Sequence, residues 1–318
     1  MEVSIFCLSP VESLGEIVSI KLQRSDMAVL IASLIWGVNY SSVKIILTSI
    51  PPFVAGVTRF FIAAIFILFL LKHIEGNIGV SWSHLRRMIT SGIIGFGLQQ
   101  VCFLYGTLFL NASLVALFTA FTTGIMTIIA AFILHERLTR VMLGGVAISC
   151  AGMIFVVLGK NGSVAFTASS WMGLLLIVSA GILGGFTPLL NKEPLAKYSS
   201  LRVTTWTIIV GSFFFLPLGV ANVQTVTWTH LSWIVLFSVL FSALGATAIA
   251  NIMWNYGIAH VGVVRMTIYG YLPPILGILL AIPLLHEYMS PVQWLGAAFT
   301  LAGVMLSQYP EKPRHVLQ

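Results

Sequence analysis

Residues Met27–Leu47 read MAVLIASLIWGVNYSSVKIIL, and the solvent around this stretch decides the fold. It is long enough to cross the roughly 30 Å of hydrocarbon in a bilayer, which takes about 20 mostly apolar residues. Nine similar stretches follow: Phe53–Leu71, Met88–Leu108, Ser113–Leu134, Val141–Leu158, Met172–Leu190, Val203–Ala221, Leu231–Asn251, Val263–Leu285 and Val292–Ser307. Of the 318 residues, 58% are hydrophobic and 8% charged, against about 25% charged in soluble domains. A water-soluble fold cannot hide that much apolar surface. The reading is an all-α polytopic membrane protein with ten transmembrane helices and the lipid bilayer as its solvent. Gly and Pro inside several spans are tolerated in lipid, and the ten-residue alternating strands of an outer-membrane barrel are absent.

Charge placement sets the orientation. With the N-terminus in the cytoplasm, every Lys and Arg falls in a cytoplasmic part, counting Arg265 at the inner end of the ninth span, except Lys160 in an outer loop and Lys44 and Arg59 within spans. That bias predicts both termini inside. The net charge of +7 therefore follows topology and does not point to nucleic acid. Residues 1–26 contain Glu2, Glu12 and Glu16 and lack the basic start of a cleavable signal peptide. They read as a cytoplasmic leader. Cys7, Cys102 and Cys150 form no CxxC pair, so neither a disulfide framework nor a metal site is expected.

The two halves repeat. An offset of 151 places Tyr105-Gly106 on Tyr256-Gly257, His135-Glu136 on His286-Glu287, and Gly145 and Gly152 on Gly296 and Gly303. Near the start of each half the offset is 148, pairing Gly37 with Gly185 and Lys44 with Lys192. Each half holds five spans. Five is odd, so the halves are expected to enter the membrane in opposite senses. The charges agree: Arg137 and Arg140 correspond to the uncharged Tyr288 and Pro291. Inverted repeats are characteristic of secondary transporters that alternate access around a midplane site.

Together these residues resemble the drug/metabolite transporter superfamily, in particular its EamA-like ten-helix branch. The matching residues are Trp36-Gly37-Val38-Asn39 with Lys44, Pro51-Pro52, Arg59-Phe60 with Ala63, then the doubled Tyr-Gly, His-Glu and Gly-rich elements and Pro273-Pro274. The chain departs from the family pattern with His-Glu in place of Gly-Glu, and with Gly106-Thr107 and Gly257-Ile258 in place of Ala-Leu after each Tyr. The resemblance implies a first EamA-like repeat over 27–158, an outer linker over 159–171, a second repeat over 172–307 and a cytoplasmic tail over 308–318. It implies transport across a cytoplasmic (inner) membrane, and leaves the cargo open.

Enzymatic chemistry is not supported. Asp26 is the only aspartate, so no intramembrane acid pair exists. Thr139 and Ser290 stand where a zinc peptidase helix needs its second His, and no GxSxG or Walker A sequence occurs. No cofactor is expected.

Polar and aromatic residues gather on particular spans, where amides are costly unless they meet partners or water. Trp36, Asn39, Tyr40, Gln99, Tyr105, Thr122, Asn191, Asn251, Trp254, Tyr269 and Tyr271 are the expected cavity lining. Each alone can equally serve helix–helix contact. Such a lining suits uncharged or zwitterionic small molecules, amino acids among them, better than phosphate esters, which call for Arg and Lys clusters. Lys44 and Arg59 read as end-of-span anchors or as contacts for an anionic group. Glu136 and Glu287 read as interfacial caps or ion pairs, or as gate or proton-coupling groups. Pro188, Pro273 and Pro274 are candidate hinges, and the ninth span is expected to kink or break at its two prolines. The fifth and tenth spans carry Gly pairs seven residues apart, which suits scaffold packing or a homodimer face. Alternating-access export of small organic metabolites or drugs is expected, with metabolite import, a channel or a sensor as alternatives.

Overall fold

The computed structural model describes residues 24–133, 139–158, 167–261 and 269–307. Its regular structure, among the described residues, is helical with no strand. In chain order the helices are α1 (Arg24–Ile46), α2 (Pro52–Glu75), α3 (Trp82–Phe109), α4 (Ala112–Ile133), α5 (Arg140–Leu158), α6 (Ala168–Lys197), α7 (Ser200–Asn222), α8 (Trp233–His260), α9 (Leu272–Leu285) and α10 (Pro291–Ser307). Seven of them, α1–α3 and α5–α8, are long and apolar enough to cross a membrane. The others contribute shorter apolar stretches, Ala112–Met126, Leu272–Leu285 and Pro291–Ser307. Large apolar side chains such as Ile65, Phe69, Leu158 and Phe237 point outward, as lipid contact requires.

Three helices depart from regular α geometry. α3 and α8 each contain a π-helical segment, Gly92–Leu98 and Phe241–Ile249. α6 is interrupted at Phe186, between Ala168–Gly185 and Thr187–Lys197, and Pro188 opens its second part. The helix of the ninth span is interrupted just before its two prolines: Tyr269 is helical and Gly270 and Tyr271 form a turn, while residues 262–268 lie outside the described residues. α9 begins at Leu272, and Pro273 and Pro274 occupy its first turn, where a missing amide donor removes no helical bond.

The closest packing joins α5 to α10. Gly145 faces Gly303 and Ser307, and Gly152 faces Gly296 and Thr300, so the two helices run antiparallel with backbone against backbone. Phe155 stacks on Phe299 at 6.2 Å between ring centroids. Elsewhere α1 packs on α8 and α9, α6 packs on α3 and α4, and α2 lies against α7 and the π segment of α8. Gly56 gives room for Phe215, whose ring stacks on Phe60 at 5.3 Å.

Polar contacts tie the helices at both ends of the bundle. At one end Arg202 donates to Glu75 at 2.7 and 3.0 Å and to the Gly79 carbonyl at 3.2 Å. Ser199 also donates to Glu75, and Arg87 pairs with Glu193 at 2.9 Å. At the other end, Lys44 Nζ donates to the carbonyls of Thr107, Leu108 and Leu110 at 2.9, 3.3 and 2.6 Å. Glu287 accepts from the amides of Ala112 and Ser113 at 2.7 and 2.9 Å and from the Ser113 hydroxyl at 2.6 Å. A cation thus closes the C-terminus of α3 and a carboxylate closes the N-terminus of α4, each complementing the local helix dipole.

Candidate functional site

A π segment shifts the backbone register and leaves carbonyls without their usual partner, which is why such segments recur at functional positions. In α8 the Ala246 carbonyl is such an acceptor. It receives the Trp36 indole N–H at 3.0 Å and the Asn251 amide at 3.1 Å, and Asn251 also donates to Thr247 at 3.0 Å. The Trp36 ring lies 5.0 Å from the Trp254 ring. One turn away, the buried Ser242 hydroxyl donates to Asn39 Oδ1 at 2.5 Å. Trp36, Asn39, Asn251 and Trp254 therefore form one cluster on the α1–α8 seam. Further along α8, Asn255 donates to Thr204 of α7 at 2.8 Å.

The remaining expected lining residues fall into other groups. Tyr40 is buried against Phe103 and Gly277, where α1, α3 and α9 meet. Tyr269 donates to the buried Asp26 at 2.8 Å, and Tyr271 donates to the Val304 carbonyl at 3.3 Å. Thr122 donates to the Thr119 carbonyl at 2.7 Å and rests on Gly181, joining α4 to α6. Gln99 lies over Gly184. Tyr105 sits apart, edge-on to Phe53 at 5.3 Å. Asn191 is fully buried, and neither of its amide atoms has a hydrogen-bond partner. A surface cleft of about 410 Å³ lies near the Glu75–Arg202 end, lined by Trp82, Ser83, Arg86, Arg87, Thr90 and Leu190. None of the expected lining residues belongs to it.

The two intramembrane cations differ. Lys44 is committed to three carbonyls, whereas Arg59 is 2% exposed with Nε and Nη1 unpartnered. Glu136 lies outside the described residues. No group of three or more His, Cys, Asp or Glu that could hold a metal occurs among the described residues.

This architecture, helices joined by glycine seams around an amide and indole cluster, has matches among known proteins. The profile of the EamA-like transporter family matches residues 23–158 and again 171–309. The chain belongs to the EamA-like transporter family. It is an integral membrane protein of a family of transporters, as its helices imply. Its relatives include the "Uncharacterized transporter YetK" of Bacillus subtilis, 26% identical over 85% of this chain and 82% of that protein. A "Probable terminal-alkyne amino-acid exporter" of Streptantibioticus cattleyicolor is 25% identical over 90% and 94%. A "Probable amino-acid metabolite efflux pump" of Escherichia coli is 22% identical over 90% and 95%. A solved crystal structure shares the fold with a TM-score of 0.62 at 17% identity, over 89% of this chain and 97% of that one.

Several partners in this family member are not visible in its sequence. Asp26 reads as lying before the first span, yet it is buried against Tyr269. Ser242 looks like any small residue of a membrane helix, and only its place in the π segment sets it against Asn39. The available signal is indirect: Gly92, Gly95 and Gly97 crowd the π segment of α3, since glycine tolerates irregular backbone.

Proposed function

We propose that this protein is an alternating-access exporter of small uncharged or zwitterionic metabolites, amino acids among them. In this reading ten crossings form two oppositely inserted repeats in a bacterial cytoplasmic membrane, with both termini inside. The carrying observation is the α5–α10 seam. Gly145 meets Gly303 while Gly152 meets Gly296, so a shift of 151 exchanges the two contacts. Equivalent helices that meet antiparallel in this way are what a two-fold axis in the membrane plane produces.

Other contacts support the same axis. Gly37 lies on Leu276 and Gly277 of α9, and its repeat mate Gly185 lies on Met126 of α4, the mate of Gly277. The π segment of α3, moved by 151, covers 243–249 and falls inside that of α8. The α1–α8 cluster offers indole faces and amides with few fixed charges, which favours a neutral or zwitterionic cargo. The exporter and efflux-pump names of two relatives favour outward movement of amino-acid-like solutes.

Counterflow in proteoliposomes tests the reading. A carrier exchanges labelled for unlabelled amino acid with saturation. If no amino acid is exchanged by a correctly inserted protein, this substrate class is wrong.

A further inference from the structure

A guanidinium buried in a membrane helix normally finds carbonyls or a carboxylate, because an uncompensated buried charge is strongly destabilising. Lys44 obeys this rule with three carbonyl acceptors. Arg59 does not. It is 2% exposed, Nε and Nη1 have no partner, and the Phe60 ring lies 6.0 Å from Cζ, at the limit of a cation–π contact. Every carboxylate among the described residues is engaged elsewhere: Asp26 with Tyr269, Glu75 with Arg202, Glu193 with Arg87, and Glu287 with Ala112 and Ser113.

The other half of the protein has no cation at the corresponding position. The repeat mate of Arg59 is Thr207, in the corresponding place on α7. Its hydroxyl donates to the Val203 and Thr204 carbonyls of its own helix at 3.1 and 3.0 Å. One half of the protein therefore fills this position with a self-satisfied neutral residue, and the other keeps a charge with no counterion. The helix that carries Arg59 lies along the π segment of α8, the segment that also holds Ser242 and the Ala246 acceptor.

We propose that Arg59 is the carboxylate anchor for the transported solute. Resting on the transport reading above, this narrows the cargo to molecules that carry one carboxylate. A guanidinium fork matches a carboxylate through paired N–H donors, and such charge-assisted bonds are the strong ones. A single cation suits a monocarboxylate such as a zwitterionic amino acid. A phosphate ester, with about two negative charges, would require further cations beside it.

The test measures thermal unfolding of the purified full chain with each of the common amino acids and, beside it, the corresponding amide. Wild type is expected to melt a few degrees higher with at least one amino acid and to show no shift with its amide. R59Q is expected to melt above wild type without ligand, since it removes an unpaired buried charge, and to bind that amino acid about tenfold or more weakly. R59K, which keeps the charge without the fork, is expected to fall between them. A lower unliganded melting temperature in R59Q would make Arg59 a structural anchor and overturn the proposal. An amide that stabilises as well as its acid, or no shift with any amino acid, overturns it too. If R59Q does not fold, the acid-against-amide comparison on wild type still decides. Counterflow separates this proposal from the transport reading. Equal exchange of acid and amide removes the role of Arg59 and leaves transport standing, whereas no exchange of either strikes the transport reading itself.

Discussion

The α5–α10 seam and the α1–α8 seam are both helix pairs within one apolar bundle, yet they are built on opposite principles. The first brings backbone to backbone through Gly145, Gly152, Gly296 and Gly303, leaving no room for one more methyl group. The second is spaced by indoles and amides and includes a segment whose backbone bonds are out of register. Without water to drive helices together, close packing and interhelical hydrogen bonds supply the association. The glycine seam uses packing and has one arrangement. The polar seam uses hydrogen bonds that can be exchanged for others, which is what a moving or ligand-binding surface requires. In the proposed reading, the first pair is the rigid one and the second the one that adjusts.

The largest effect is expected at the rigid seam. In Gly152→Val, new carbons would fall on the Gly296 carbonyl and the Thr300 amide, which cannot withdraw. Overpacking against backbone should cost about 3 kcal/mol or more, seen as loss of monodisperse folded protein. Gly144, on the same helix, has nothing within 4 Å of an added carbon. Gly144→Val should purify like wild type, and if both variants fail alike the contrast between the helix faces is lost.

Next comes the clamp at one end. Glu287→Ala leaves the first amides of α4 without their acceptor, and loss of a helix cap costs about 1–2 kcal/mol. The expected result is a melting temperature several degrees lower. Glu287→Gln keeps an acceptor and should retain most transport. Complete loss of transport in a folded Glu287→Gln protein would make this carboxylate part of the energy coupling.

At the polar seam the effects on stability shrink and those on transport grow. Trp36→Phe removes one interhelical bond to Ala246, worth about 1 kcal/mol. Asn39→Ala frees the Ser242 hydroxyl, and its cost is similar. Both should insert and fold while counterflow falls severalfold. Wild-type counterflow in both would return these residues to a structural role. The smallest effect is expected from Arg87→Ala, whose partner Glu193 is largely exposed. An exposed pair is worth about 0–1 kcal/mol, so its melting temperature should scarcely move.

The two seams were not equally legible in the sequence. Gly145, Gly152 and their mates 151 residues on are visible as a pattern, because close packing selects residue type directly. Helix type and approximate extent are visible for the same reason, since hydrocarbon thickness selects length and composition. The polar seam depends on backbone register, which residue types specify weakly. Nothing in FSALGATAI announces a π segment, so the partners of Trp36, Asn39 and Asn251 could not be read. Tyr105 and Trp254 illustrate the limit. Both are aromatic residues on apolar helices, yet one meets Phe53 and the other meets Trp36. Glu287 is legible as a carboxylate at a helix end, but the helix it caps lies 174 residues earlier in the chain.

Duplication with reversal is the central claim, and side-specific labelling tests it most directly. Thr139 and Ser290 are repeat mates at the starts of α5 and α10. Each would be changed to Cys in a chain whose Cys7, Cys102 and Cys150 are replaced by Ser, and intact cells would be treated with a membrane-impermeant maleimide. The account predicts labelling of the Ser290→Cys protein from outside, and of the Thr139→Cys protein only after the membrane is opened. Labelling of both from one side would contradict it.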